Sequence, residues 1–382
     1  MTKGLQKLRS ILDENKLDGF IVTNPTNIFY LAGFRGVSPQ ERESILIFNP
    51  RATLVVPRLY QKEAQSLALT ELKVKIVSER NQIFNLAKNL LKDAKRIGFE
   101  QNDLKFGEYQ EFMSSLGSDP QGFQKGPTLK KLIPFKNLIE DLRVIKTPDE
   151  IKRIEKAQII SQKAFEQLVK ILKVGQTEEE IAEKLAQIIK SAGGHGLAFD
   201  SIVASGPDSG RPHYVTGKRK IKSGDILLLD FGAKFKGYHA DLSRTIFIGK
   251  PKTHQRNIYM HVLAAQKSAV AKITHGLKTS AAYHVANNYF KKQKLHNYFL
   301  HSLGHGVGLE VHEKPHLRPT QTWFVQGRQT GFEDEELKEN MVFSVEPGLY
   351  FPWGGVRIED LVVIKNGKAK VLGKLQEEIV EI

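Results

Sequence analysis

Cysteine is absent from the 382 residues, which excludes a disulfide framework and every thiolate metal site, so any bound metal must be held by His, Asp and Glu. No stretch approaches the roughly 20 consecutive apolar residues of a membrane span. The N-terminal residues place Leu5, Leu8, Ile11 and Leu12 at helical spacing, without the unbroken apolar block of a signal peptide. These absences predict a soluble, cytoplasmic protein with no membrane contact. Acidic residues are the minority, 42 against 57 Lys and Arg, for a formal charge of +15. The basic residues are dispersed, and their densest cluster, Lys218, Arg219, Lys220 and Lys222, has no interleaved aromatics and no zinc-finger or RNA-recognition pattern. A solvated basic surface fits this better than a nucleic-acid interface. A non-catalytic basic binding module stands as the alternative from another functional class.

The length exceeds what one core usually supports, so two domains are expected, residues 1–139 and 140–382. The first alternates helical and strand patterns: a helix to Asn15, a strand at Gly19 to Val22, and a hairpin of Ile45 to Phe48 and Leu54 to Val56 turned by Asn49, Pro50 and Arg51. A strand at Val74 to Val77, a helix at Ile83 to Leu91 and a strand at Ile97 to Glu100 complete an α/β layer arrangement. Gly117 to Gly126 reads as a loop. Thr147 with Pro148 and Glu150, and then Thr177 with Glu180, have the spacing of capping boxes, so the second domain opens with two helices. Short strands at Ile226 to Leu229 and Thr245 to Ile248 come next, followed by helical patterns at His254 to Ile273 and Ser280 to Lys292. The second domain also repeats itself. Asp225 to Gly232 aligns with Asn340 to Gly348, and each copy is followed by a Gly-containing turn, a second acid (Asp241 or Glu359) and an apolar strand.

This repeat places Asp230 and Glu346 at matched ends of apolar strands. An ionised carboxylate buried there costs several kcal/mol unless a cation or hydrogen bonds compensate. With Asp241 and Glu359, four carboxylates would converge, and a pair of divalent metals offsets such charge better than arginine does. Any one of these acids alone would read as a strand-end residue bonded to backbone amides; the matched set does not. The segment His301-Ser-Leu-Gly-His305-Gly-Val-Gly-Leu-Glu-Val-His312-Glu313 adds histidines in a frame of Gly304, Gly306 and Gly308 that permits close backbone approach.

Gly206 to Tyr214, Asp225 to Gly249, His301 to Pro315 and Met341 to Asp360 resemble the family of methionine aminopeptidases, prolidases, Xaa-Pro aminopeptidases and creatinase. Leu142 to Lys146 with Glu150, and Asn24 to Phe34, extend the resemblance over nearly the whole chain. It implies an α/β N-terminal domain and an α+β pita-bread catalytic domain with an internal pseudo-two-fold repeat. It implies Asp230, Asp241, His305, Glu346 and Glu359 as ligands of two divalent metals, manganese foremost, with cobalt, iron or zinc as alternatives. The implied reaction is hydrolysis of the bond before proline in dipeptides or short peptides by a hydroxide bridging the metals. Glu346 would shuttle the proton, His213 and His312 would orient substrate, and His316, Arg318 and Arg357 would contact it. A homodimer is implied as well. Xaa-Pro aminopeptidase action on longer peptides and methionine-aminopeptidase-like action are the enzymatic alternatives.

The chain departs from that pattern in three places. His312 and Glu346 lie 34 positions apart, with Thr320 to Asp334 reading as an inserted loop. The interval from Glu346 to Glu359, through Phe351-Pro352-Trp353-Gly354-Gly355, is one residue short. Where many prolidases carry an Arg four residues after the His312 equivalent, this chain has His316, with Arg318 beyond it.

Overall fold

Strands of the first unit take their apolar residues alternately to two sides. Phe20, Val22, Leu46, Leu54 and Val56 join one core with Leu5, Leu8 and Leu12, while Ile21, Ile45, Ile47 and Val55 join another with Ile83, Phe84 and Ala87. A sheet covered on both faces needs no polar alternation, which is why these strands read as continuous apolar runs. The structure is a computed structural model that describes residues 3–36, 41–67, 71–79, 82–115, 130–320, 322–325, 328–331, 334–374 and 378–382. It divides into compact units of residues 1–143 and 144–382.

The first unit holds a six-stranded sheet in the order Leu72–Val77, Ala52–Pro57, Ile45–Phe48, Gly19–Val22, Arg96–Glu100, Lys131–Phe135. Ile45–Phe48 pairs antiparallel with both of its neighbours, and the three outer pairings are parallel. The segment Asn24 to Phe34 proves to be a capped helix, Pro25–Ala32. The Asn24 side chain accepts from the amides of Thr26 and Asn27, and Gly33 closes the end at φ 75°. Beneath this cap lies Glu100, which accepts from the amides of Thr23 and Asn24 (2.5 and 2.7 Å) and from Asn27 Nδ2 (2.6 Å). Burial pushes its pKa up to about 7 against the opposing pull of those donors. A carboxyl whose folded pKa lies above its unfolded value gives stability that is full below about pH 4.5 and lost as pH rises through about 7. Chemical denaturation should therefore show the wild type losing about 3 kcal/mol relative to Glu100→Gln between pH 4.5 and 8.

In the second unit, helices Pro148–Val169 and Glu178–Ser191 both begin in full capping boxes, at Thr147 with Glu150 and at Thr177 with Glu180. They cover a sheet in the order Val380–Glu381, Leu242–Phe247, Ile226–Phe231, Ile202–Ser205, antiparallel except for the short edge Val380–Glu381, which pairs parallel with Leu242–Phe247, and share with it a core of Ile160, Leu185, Leu227, Leu229 and Phe231. The arrangement then recurs. Helices Thr253–Lys272 and Thr279–Lys292 share a core with Phe343, Val345, Val362 and Ile364. Those residues belong to the sheet ordered Glu313–Leu317, Gly304–Gly306, Val342–Val345, Asp360–Lys365, Lys368–Val371.

Two expectations need correction. The strand expected at Thr245 to Ile248 is Leu242–Phe247, beginning directly after Asp241. Its first turn of sequence hid it, because Ser243 and Arg244 are polar yet buried. The segment read as an inserted loop contains an antiparallel ribbon, Thr322–Val325 with Arg328–Gly331; residues 321, 326, 327, 332 and 333 lie outside the described residues, as does Gly117 to Gly126. Among the described residues no helix is long and apolar enough to cross a membrane.

Candidate metal centre

The two strand pairs end on their acids. Asp230 is the cross-strand partner of Ser243, so Asp241 lies just past the end of the same ladder. In the second half Val345 pairs with Asp360, which puts Glu346 and Glu359 together at that ladder's end. His305 enters from Gly304–Gly306, whose close fit only glycine allows: a Cβ on Gly304 would lie 2.0 Å from the Ser344 carbonyl oxygen. Ligand atoms of Asp241, His305 and Glu359 all lie within 4.8 Å of one another. His305 Nε2 is 3.6 Å from Asp241 Oδ2 and 3.3 Å from Glu346 Oε1.

Burial and mutual repulsion dominate the electrostatics. Asp241 and Glu359 have pKa values pushed well up, first by burial and then by neighbouring carboxylates. Asp230 is raised by burial despite the nearby Arg357. Burial acts the same way on Glu346, but the hydrogen bond and charge of His305 prevail and hold it at about 2. Two oxygens, Asp230 Oδ1 from the first half and Glu359 Oε1 from the second, are buried with no hydrogen-bond partner. A buried carboxylate oxygen left unpaired is costly. Four acids and one imidazole with such vacant acceptors fit divalent cations that prefer oxygen and nitrogen ligands.

A second set of side chains fixes the first. Ser344 Oγ donates to Glu346 Oε1 (3.0 Å) and accepts from the His305 amide (3.1 Å). Ser243 Oγ donates to Glu359 Oε2 (2.8 Å) and accepts from Arg357 Nε (2.8 Å). Arg357 Nη2 donates to Asp230 Oδ2 (2.5 Å), and its Nη1 donates to the Tyr350 hydroxyl (2.8 Å). His301 Nδ1 lies 2.7 Å from the Ser302 carbonyl and so carries the proton, leaving Nε2 to accept from Tyr350 at 2.8 Å. Behind Glu359, Arg244 donates to its carbonyl and to Asp360 Oδ1 (2.7 Å), which fixes the backbone there. Removing the Ser243 hydroxyl leaves Glu359 Oε2 and Arg357 Nε without that shared partner. Ser243→Ala should accordingly weaken metal binding about tenfold by calorimetry, without unfolding the chain.

Of the expected substrate contacts, Arg357 is 3% exposed and hydrogen-bonded to Asp230, Ser243 and Tyr350. His312 is exposed, its ring 4.1 Å from that of His305. Burial lowers the pKa of both His301 and His312 to about 4, and His213, also exposed, lies near enough to add slightly to each shift. His316 is the cross-strand partner of His305, and Arg318 follows two residues later. Both line a cavity of about 420 Å³ with Tyr283, Phe299 and His301. Ser243, Ser344 and Tyr350 were not singled out from sequence, and His301 entered only as the first residue of the histidine segment. A signal existed for the serines, since each lies two residues from a candidate ligand in or beside a strand and so shares its side.

Residues 5–145 match the Creatinase/Prolidase N-terminal domain, and residues 152–366 match metallopeptidase family M24. The chain is 36% identical over 380 residues to the Xaa-Pro dipeptidase of Pyrococcus furiosus, covering 99% of this chain and all of that one. Among solved structures it resembles an Xaa-Pro dipeptidase from Bacillus anthracis, with a TM-score of 0.88, 32% identity and coverage of 100% and 99%. It also resembles an X-Pro aminopeptidase from Thermotoga maritima, with a TM-score of 0.83, 30% identity and 99% coverage of both chains. The α/β N-terminal unit joined to a pita-bread catalytic unit, expected from the sequence, is the architecture these likenesses support.

Proposed function

The chain belongs to metallopeptidase family M24, and from that premise we propose that it hydrolyses the peptide bond before proline in Xaa-Pro dipeptides, using two divalent cations. The observation that carries this reading is the meeting of Asp230, Asp241, His305, Glu346 and Glu359, with one buried, unpaired carboxylate oxygen from each half of the duplicated unit. These five side chains would hold the cations, manganese first among the candidates. Bound there, the cations would lower the pKa of water towards neutrality and polarise the scissile carbonyl.

The protein's own residues supply the remaining steps. Ser344 donates to one oxygen of Glu346, so its carboxylate is aimed to carry a proton from the attacking water to the leaving prolyl nitrogen. His312 and His213, exposed at the opening, orient the substrate and donate to the carbonyl oxygen as charge builds on it. Chelator-treated protein should lose Xaa-Pro hydrolysis and regain it with Mn²⁺ or Co²⁺; full turnover after metals have been stripped, verified by elemental analysis, would refute the proposal. The resemblance also supports a homodimer, which light scattering would reveal.

A second reading, an Xaa-Pro aminopeptidase acting on longer peptides, draws on one observation. The 420 Å³ cavity beside His301 and His316 offers space beyond the prolyl position where a prolidase would carry its arginine.

A further inference from the structure

Lys146 and Glu313 form a buried ion pair that the metal centre does not use. Lys146 Nζ lies 2.7 Å from Glu313 Oε1, with side chains 1% and 5% exposed. Burying two charges is expensive, and a pair so enclosed does nothing for solubility. What it joins is informative. Ile145 bridges to Met341, the Lys146 amide donates to the Asn340 carbonyl, and Thr147 caps the long helix Pro148–Val169, so the backbone around Lys146 is fixed on both sides. Glu313 follows His312 directly and opens the strand Glu313–Leu317.

The ladder around His312 is weak. His305 pairs with His316 but Gly306 pairs with Glu313, so one step along one strand spans three along the other, and Lys314 and Pro315 fall out of register. Regular strand hydrogen bonds therefore do not set the position of the chain where it leaves the sheet through His312. The Glu313 carboxylate takes over this task. It lies against Gly308, where a Cβ would come within 2.3 Å of Oε1, and it reaches Lys146 on the other side. Glu313 directly follows His312, so holding the Glu313 side chain fixes the backbone from which the His312 ring reaches that of His305, 4.1 Å away.

We propose that Lys146 is a positioning residue which, through Glu313, holds the His312 imidazole in its working orientation; this rests on His312 contacting substrate as described above. Lys146→Met should lower kcat on an Xaa-Pro dipeptide about tenfold with both metals retained, and Lys146→Arg should restore most of the loss. In a His312→Ala background, Lys146→Met should have no further effect, because the residue it positions is gone. Additive losses in that cycle would overturn the proposal, since they would show Lys146 acting independently of His312. The variant Lys146→Met with Glu313→Gln removes both charges while keeping shape, and it is read if the single variant fails to fold. A separate readout needs no turnover. In zinc-loaded protein with labelled histidine, the NMR signal of His312, identified by its loss in His312→Ala, should broaden or split in the Lys146 variant while that of His213 stays. An unchanged His312 signal would overturn the positioning role even in an active enzyme. A displaced signal in the Lys146 variant, when the wild-type protein binds metal but cleaves no peptide, would support the positioning while removing the peptidase reading.

Discussion

Replacing Asp241 with Asn is expected to abolish peptide hydrolysis, by on the order of a thousandfold or more, while the chain stays folded. Asp241 is 4% exposed, between Glu359 and His305, and repulsion from Glu359, Asp230 and Glu346 adds to burial in raising its pKa. In metal-free protein the substitution removes a charge the cluster already disfavours, so the melting temperature should hold or rise. With metal the sign reverses. A ligand at a thousandfold excess over its Kd stabilises by about 4 kcal/mol, which in a unit of this size is a shift of ~10 °C. Wild-type protein should show that metal-dependent shift and Asp241→Asn should lose most of it. The comparison separates loss of a ligand from loss of the fold, because a misfolded variant would melt lower in both conditions. A variant that still bound two metals and cleaved normally would remove Asp241 from the set shared between them.

The five candidate ligands were legible because a carboxylate at the end of an apolar strand is an anomaly, and a duplicated anomaly is a pattern. Asp230 after Leu227 to Leu229 and Glu346 after Val342 to Val345 each contradict their local environment, and the structure brings both to ladder ends beside His305. The supporting residues contradict nothing. Ser243 and Ser344 are ordinary strand serines, and Tyr350 is an aromatic in a hairpin; their roles arise from partners more than a hundred positions away, as with Ser243 and Glu359, or across a strand pair. Nothing in the sequence around Arg357 announces that its side chain is buried against Asp230, Ser243 and Tyr350, because burial of a charged side chain depends on tertiary packing. In the first unit, the strands were legible from apolar runs between turn residues, whereas the edge strand Lys131–Phe135, with no buried residue and a proline at its fourth position, has no such signature.

Arg318→Ala is expected to lower kcat/KM for Xaa-Pro dipeptides by about 10- to 100-fold, the cost of one or two charge-assisted hydrogen bonds to the substrate's free carboxylate. At the position where a prolidase would carry arginine, His316 cannot supply the charge near neutrality: burial and the adjacent Arg318 hold its pKa at about 4. Arg318 can. It lies two residues further along, just past the end of the strand Glu313–Leu317, where the chain turns and the Arg318 amide donates to the His316 carbonyl at 3.1 Å. Its long side chain borders the same cavity as His301 and His316. Amide-capped Xaa-Pro substrates lack the carboxylate and should be insensitive to the substitution. Arg318→Lys should recover only part of the loss, because a point charge cannot reproduce the planar, two-pronged contact. If tripeptides and longer substrates are cleaved efficiently, dipeptides poorly and both equally in Arg318→Ala, the cavity serves extended peptides. The protein is then an aminopeptidase built on the same metal centre.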